Sequence, residues 1–174
     1  YMPHNYSGDS HIYFLHGALH LYFDGQNVRK RVWKDTGTPL VSQIQLALKM
    51  KEYPLVVAEG CSSSKLGQIG TNGYLSNCLR KFCGIQGHLF TFGFSFSEQD
   101  NHISDAIVKN EAIRHLWIGI RGDFSKPSNK RFLELAEKLI DQRNIHIGTK
   151  KMPVKKGDLI VHFYNSDSAN VWQL

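Results

Sequence analysis

The chain has 174 residues, 41% of them apolar and 21% charged, and its 21 Lys and Arg against 15 Asp and Glu give a net charge of +6. This is the size of one folded domain with a real core; it leaves no room for two full domains. No apolar run approaches the roughly 20 residues of a membrane span, so a spanning helix is excluded.

Taken in chain order, Ile12–Leu15 is an apolar run that predicts a first strand ending at His16-Gly17. Leu19 to Phe23 alternates with period two, Asp24-Gly25 signals a turn, and Val28 to Trp33 can return as a hairpin partner. Thr38-Pro39 reads as an N-cap and first helical position, followed by the helical face Leu40, Val41, Ile44 and Leu48 through to about Lys51. After Pro54, the run Leu55–Ala58 predicts a strand buried on both faces, ending at Glu59-Gly60. Helices are expected over Ser62–Ile69 and Tyr74–Phe82, with a turn at Asn72-Gly73.

The second half is more regular. His88–Phe92 predicts a strand and Gly93–Phe96 a tight connection. Ser97 caps a helix with Asp100 in its first turn and Ile103, Ala106 and Ile107 on its inner face. Leu116–Ile120 is a further strand, Asn129–Asp141 a helix capped by Ser128, and Leu159–Tyr164 a last strand. Strands alternating with helices predict an α/β fold, three-layer and Rossmann-like, with a mainly parallel sheet and an inserted hairpin and helical segment. The expected organisation is a single α/β domain over residues 1–174.

In such sheets ligands bind beyond the carboxyl ends of the strands. Three groups fall there: His16-Gly17, Glu59-Gly60 and Gly93-Phe94-Ser95. Gly93 would let a phosphate or ribose approach the backbone, Ser95 adds a hydroxyl, and the following helix start offers free N–H groups. A plain βα turn with a capping serine is the competing reading. His16 could serve as a general base or bind a ribose hydroxyl, although it is one of nine histidines and could equally be structural. Glu59 could bind a ribose hydroxyl or complement a helix start, and Asp100 reads first as a helix-start residue. No metal site is expected: His102 to Asp105 has ligand types but no matching second set. Neither a Gly-x-Gly-x-x-Gly nor a Walker-type loop occurs.

Cys61, Cys78 and Cys83 are widely spaced with no Cys-x-x-Cys, which excludes a disulfide scaffold and a zinc ribbon. Each reads as a small buried hydrophobe in a reducing compartment, and with no leader pattern in view a cytoplasmic location is expected. The basic residues cluster only at Arg29-Lys30-Arg31, Lys150-Lys151 and Lys155-Lys156. The charge therefore admits an anionic partner, but without an aromatic-basic stripe it disfavours nucleic acid.

The phrase Tyr13-Phe14-Leu15-His16-Gly17-Ala18-Leu19-His20 resembles the histidine-glycine motif of sirtuin-like domains, and Gly93-Phe94-Ser95-Phe96 with Asp100 resembles their later NAD-contacting motif. Tyr53–Gly60, Lys65-Leu66 and Tyr74–Ser76 look like an uncharacterised bacterial branch of that superfamily, and the likeness spans Ile12 to Asp123. The resemblance implies an NAD-binding domain that cleaves NAD with release of nicotinamide, or else a non-catalytic sensor of NAD or ADP-ribose. It makes His16 the catalytic histidine and Gly17, Gly93, Ser95, Asp100 and Glu59 cofactor contacts. The chain starts at Tyr1 without the Gly-rich strand-helix and Asn motif that open such domains. It is therefore expected to be the C-terminal part of a larger sirtuin-like domain, completed by other protein segments or subunits. Protein deacylation is disfavoured, because the zinc ribbon is absent and Arg121-Gly122-Asp123 stands where deacylases carry an asparagine.

Overall fold

The computed structural model describes residues 12–148 and 158–171. It divides into two compact units, Tyr1–Leu79 and Arg80–Leu174.

The first unit opens with a hairpin, β1 (Leu21–Phe23) antiparallel to β2 (Val28–Lys30). Asp24 builds its turn. The carboxylate accepts the backbone N–H groups of Gln26 and Asn27 at 3.0 and 2.7 Å, and the Arg29 guanidinium closes on it from the returning strand. A short helix α1 (Trp33–Thr36) ends at Gly37, which takes a left-handed φ of 66°. Helix α2 (Leu40–Lys49) starts one residue after Pro39, so Pro39 is the N-cap rather than the first helical residue. Only Ala47 of α2 is buried, and the expected inner face, with Val41 66% exposed, stays open. Helices α3 (Ser62–Thr71) and α4 (Gly73–Cys83) follow, the unit boundary falling inside α4. The core of this unit is Val57, Ile69 and Leu75, with Leu55, Tyr74 and Leu79 packed around it.

Two expected strands of this unit do not form. Residues 12–14 have no regular structure and Leu15-His16 is a turn, closed by the Gly17 N–H on the Phe14 carbonyl at 3.0 Å. Leu55–Ala58 makes one antiparallel bridge, Val56 to Gly17, instead of a ladder. The physical reason is shared: each run spends its backbone groups on one short crossing. Val57 N–H donates to the His16 carbonyl, Ala18 N–H to Leu55, and Leu55 N–H to Leu21, all at 2.8–2.9 Å.

The second unit follows the α/β pattern closely. Strands β3 (Gly87–Thr91), β4 (Ile113–Ile120) and β5 (Ile160–Asn165) form a parallel sheet in the order β3-β4-β5. Between β3 and β4 come a single 3-10 turn, Glu98–Asp100, and helix α5 (Asn101–Lys109). Between β4 and β5 lies helix α6 (Pro127–Gly148), which begins on a proline and runs beyond the expected Asp141. Its first residue thereby uses the fixed φ of proline where no N–H is needed.

Alternation along β4 separates two faces. Leu116, Ile118 and Ile120 are buried, as are Ile103 and Ile107 of α5 and Phe132, Ala136 and Leu139 of α6. Arg143 of α6 is fully buried and donates to the carbonyls of Ile107, Asn110 and Ile113 at 2.6, 2.9 and 3.4 Å. It thus joins the C-terminal end of α5 to the start of β4, adding a charged donor to the Ile107 and Asn110 carbonyls, which also accept the Asn110 and Ile113 backbone N–H groups. Burial lowers the guanidinium pKa, and Glu111 opposes that shift.

The odd positions of β4 carry His115, Trp117 and Gly119. Gly119 has no room for a side chain: a Cβ there would lie 2.8 Å from the Tyr164 hydroxyl and 2.9 Å from the Thr91 carbonyl oxygen. Tyr164 crosses above it and donates to that carbonyl at 2.8 Å, tying β5 to β3 over the central strand. No helix among the described residues is long and apolar enough to cross a membrane.

Candidate functional site

A cavity of about 600 Å³ opens in the second unit at the carboxyl ends of all three parallel strands. The segment after β3 contributes Phe92 to Ser95, the loop after β4 Arg121, and the turn after β5 Ser166, Asp167 and Asn170. The start of α6 closes it with Asn129, Arg131 and Phe132. This is the position where open α/β sheets take ligands, and the volume suits a small-molecule ligand.

The β3 loop is conformationally specified. Gly93 has a φ of 66°, and a Cβ on it would meet nothing within 4 Å, so glycine is favoured there by backbone conformation and not by crowding. Phe96 also sits in the left-handed region, at φ 53°, which costs a non-glycine residue about 1–3 kcal/mol. Burial of its ring, tilted at 58° against Phe94 with 4.5 Å between centroids, offsets that cost. The loop is held in a shape that exposes Ser95 beside the cavity.

The β4 loop is pinned from α6. The Asn129 amide donates to the carbonyls of Arg121 and Asp123 at 3.1 and 2.7 Å. The Asp123 carboxylate accepts the Ser125 N–H at 2.8 Å, and that contact lowers its pKa. Arg121 is almost fully solvated and lies 3.7 Å from Asp167. Arg131 lies over the Phe132 ring at 5.0 Å. Two guanidinium groups, hydroxyl and amide groups and one carboxylate therefore border the cavity. That set can bind phosphate oxygens through the arginines and hydroxyl groups through Asp167, Ser95 and Asn129.

The expected site residues distribute as follows. Gly93 and Ser95 line the cavity. Asp100 belongs to the same unit but does not line it; it ends the 3-10 turn, where Ser97 donates to its carboxylate at 3.2 Å. Ser97 makes no side-chain bond to the helix backbone, so the expected cap is a side-chain pair instead.

His16, Gly17 and Glu59 belong to the first unit. His16 is half-buried in the turn rather than at a strand end. Gly17 is sterically obligatory: a Cβ would lie 2.0 Å from the Leu55 carbonyl oxygen, and its φ is 75°. Glu59 is exposed, beside Gly60 at φ 105°. Of the three cysteines, only Cys78 is buried; Cys61 and Cys83 are exposed free thiols.

Arg121, Asn129, Arg131 and Asp167 were not among the expected site residues. Arg121 follows directly on β4 and Asp167 stands two residues beyond β5, so both lie just past strands that the sequence indicates.

A family model described as a domain of unknown function, DUF4917, matches residues 3–172. No curated protein and no solved structure matches the chain.

Proposed function

The chain belongs to the DUF4917 family, and we propose that its second unit binds a nucleotide of the NAD or ADP-ribose type. One observation carries this reading: the cavity at the ends of β3, β4 and β5, bordered by the left-handed Gly93 loop, Ser95, Arg121 and Arg131. A diphosphate needs cationic donors and close backbone approach, and ribose hydroxyls need acceptors such as Asp167. In this reading the unit is a Rossmann-like arrangement serving a three-layer, sirtuin-like NAD site. The resemblance further assigns His16 the part of a base that takes the proton of a water or ribose hydroxyl as that oxygen bonds to the anomeric carbon and the bond to nicotinamide breaks.

Calorimetric titration of the full chain with NAD and with ADP-ribose tests the binding. Saturable binding that Arg121→Ala weakens by about 10-fold or more is expected, the loss of one charge-assisted contact. Absence of saturable binding of both ligands overturns the reading. Nicotinamide release from NAD, followed with His16→Ala, tests the cleavage: turnover unchanged in the variant removes His16 from that role.

A further inference from the structure

Each strand of the parallel sheet carries a histidine followed two positions later by an aromatic residue: His88 and Phe90, His115 and Trp117, His162 and Tyr164. Side chains two apart share a face, so all six point to the side of the sheet opposite Leu116, Ile118 and Ile120. The register sets His88 beside His115, and Phe90 and His162 on either side of Trp117.

The rings stack across the strands. His88 lies on His115 at 4.4 Å between centroids, Phe90 on Trp117 at 5.3 Å, and Trp117 on His162 at 4.1 Å, with interplanar angles of 9°, 11° and 15°. Two hydrogen bonds join the stacks. Trp117 Nε1–H donates to His88 Nδ1 at 3.2 Å, and His115 Nδ1 and His162 Nε2 share a bond of 3.0 Å.

These bonds limit the protons the group can hold. Indole nitrogen is a donor only, so His88 Nδ1 must be bare and His88 neutral. In the His115–His162 bond one nitrogen must accept, so at most one of those two rings is an imidazolium. The three histidines therefore keep all their contacts with one positive charge at most. Among the described residues, the groups whose charges act on His115 are His88 from β3, His162 from β5 and the neighbouring Arg114 of β4, while the Tyr164 hydroxyl is engaged by Thr91. Partial burial and these three neighbours all lower the His115 pKa.

We propose that His88, His115 and His162 form a proton-operated switch, in which a second proton breaks the Trp117–His88 or the His115–His162 hydrogen bond and reorders this face of the sheet. The inference is independent of the nucleotide reading, since it uses only the ring geometry. The switch operates as pH falls below the ordinary histidine value of about 6.5. The sign follows from linkage. A His115 pKa lowered in the folded state means that the unfolded chain binds the proton more readily. The contribution of the stack to stability is then full above about pH 6.5 and lost as pH falls through that value toward the folded one.

The test is nuclear magnetic resonance of the full chain between pH 8 and pH 5, following the imidazole nitrogens and the Trp117 indole N–H, the latter assigned by its loss in Trp117→Phe. The expected result is a Trp117 indole shift in a step below the ordinary histidine value, with His115 taking up its proton below that value. His162→Phe keeps a ring against Trp117 and removes one neighbouring charge, so His115 should then titrate nearer its ordinary value. Three imidazoles titrating independently near that value, with the Trp117 resonance unmoved, would overturn the proposal. Simultaneous loss of all dispersed resonances at the same pH would also overturn it, because the event would then be global unfolding.

Discussion

Gly17 carries a structural demand that its place in the sequence does not show. The sequence marks it as half of a histidine-glycine pair at a ligand site. The structure adds a steric demand, because its backbone runs against Leu55 with a left-handed φ of 75° and no space for a Cβ. Gly17→Ala should cost about 2–3 kcal/mol or more in chemical denaturation, since it combines left-handed strain with a backbone clash. A cost under about 0.5 kcal/mol would show that the Gly17–Val56 crossing is not held in solution. Asp24 is the counterpart in which local chemistry was legible: Asp-Gly between alternating runs gave the hairpin turn. Its bond to Arg29 and the two backbone N–H groups lower its carboxyl pKa to about 2. A lowered carboxyl pKa stabilises the turn above the unfolded value of about 3.9, and that contribution fades as pH falls toward 2. Hairpin resonances should therefore keep their positions from pH 7 to pH 4 and move only below that, while in Asp24→Asn they should be insensitive across the same range.

At the scale of elements, helices and strands of the second unit were readable because period and length agreed there. His88–Phe92 and Leu116–Ile120 were each displaced by only a few residues, and α6 was found but underestimated in length. The two failed strands, Ile12–Leu15 and Leu55–Ala58, were short apolar runs, which periodicity alone cannot assign. Their backbone groups are satisfied by one another in a single crossing, a pairing between distant segments that local pattern does not encode. Arg143 was also missed, because a helical arginine reads as a solvated charge. Its three carbonyl contacts join α5, α6 and β4. Arg143→Leu should destabilise the chain by about 3 kcal/mol or more, through the loss of its charge-assisted bonds to three carbonyls. A change within about 0.5 kcal/mol would mean that water replaces the guanidinium there. The histidine-x-aromatic pattern in three strands was visible in the sequence, but its meaning depends on register, which sets the rings beside one another.

At the scale of the molecule, strand-end reasoning located half of the cavity, through Gly93 and Ser95, and missed the half supplied by Arg121, Arg131 and Asp167. The missing half comes from segments separated by tens of residues that converge only once the parallel order β3-β4-β5 is formed. Glu59 and His16 follow the same rule on segments of the first unit that do not form regular strands. Ligand binding at this cavity can be read by titrating the isotopically labelled full chain with ADP-ribose. Amide shifts at Gly93, Ser95, Arg121 and Ser166 that saturate together with one dissociation constant are expected. Shifts that never saturate, or that saturate while these four residues stay unmoved, would contradict it.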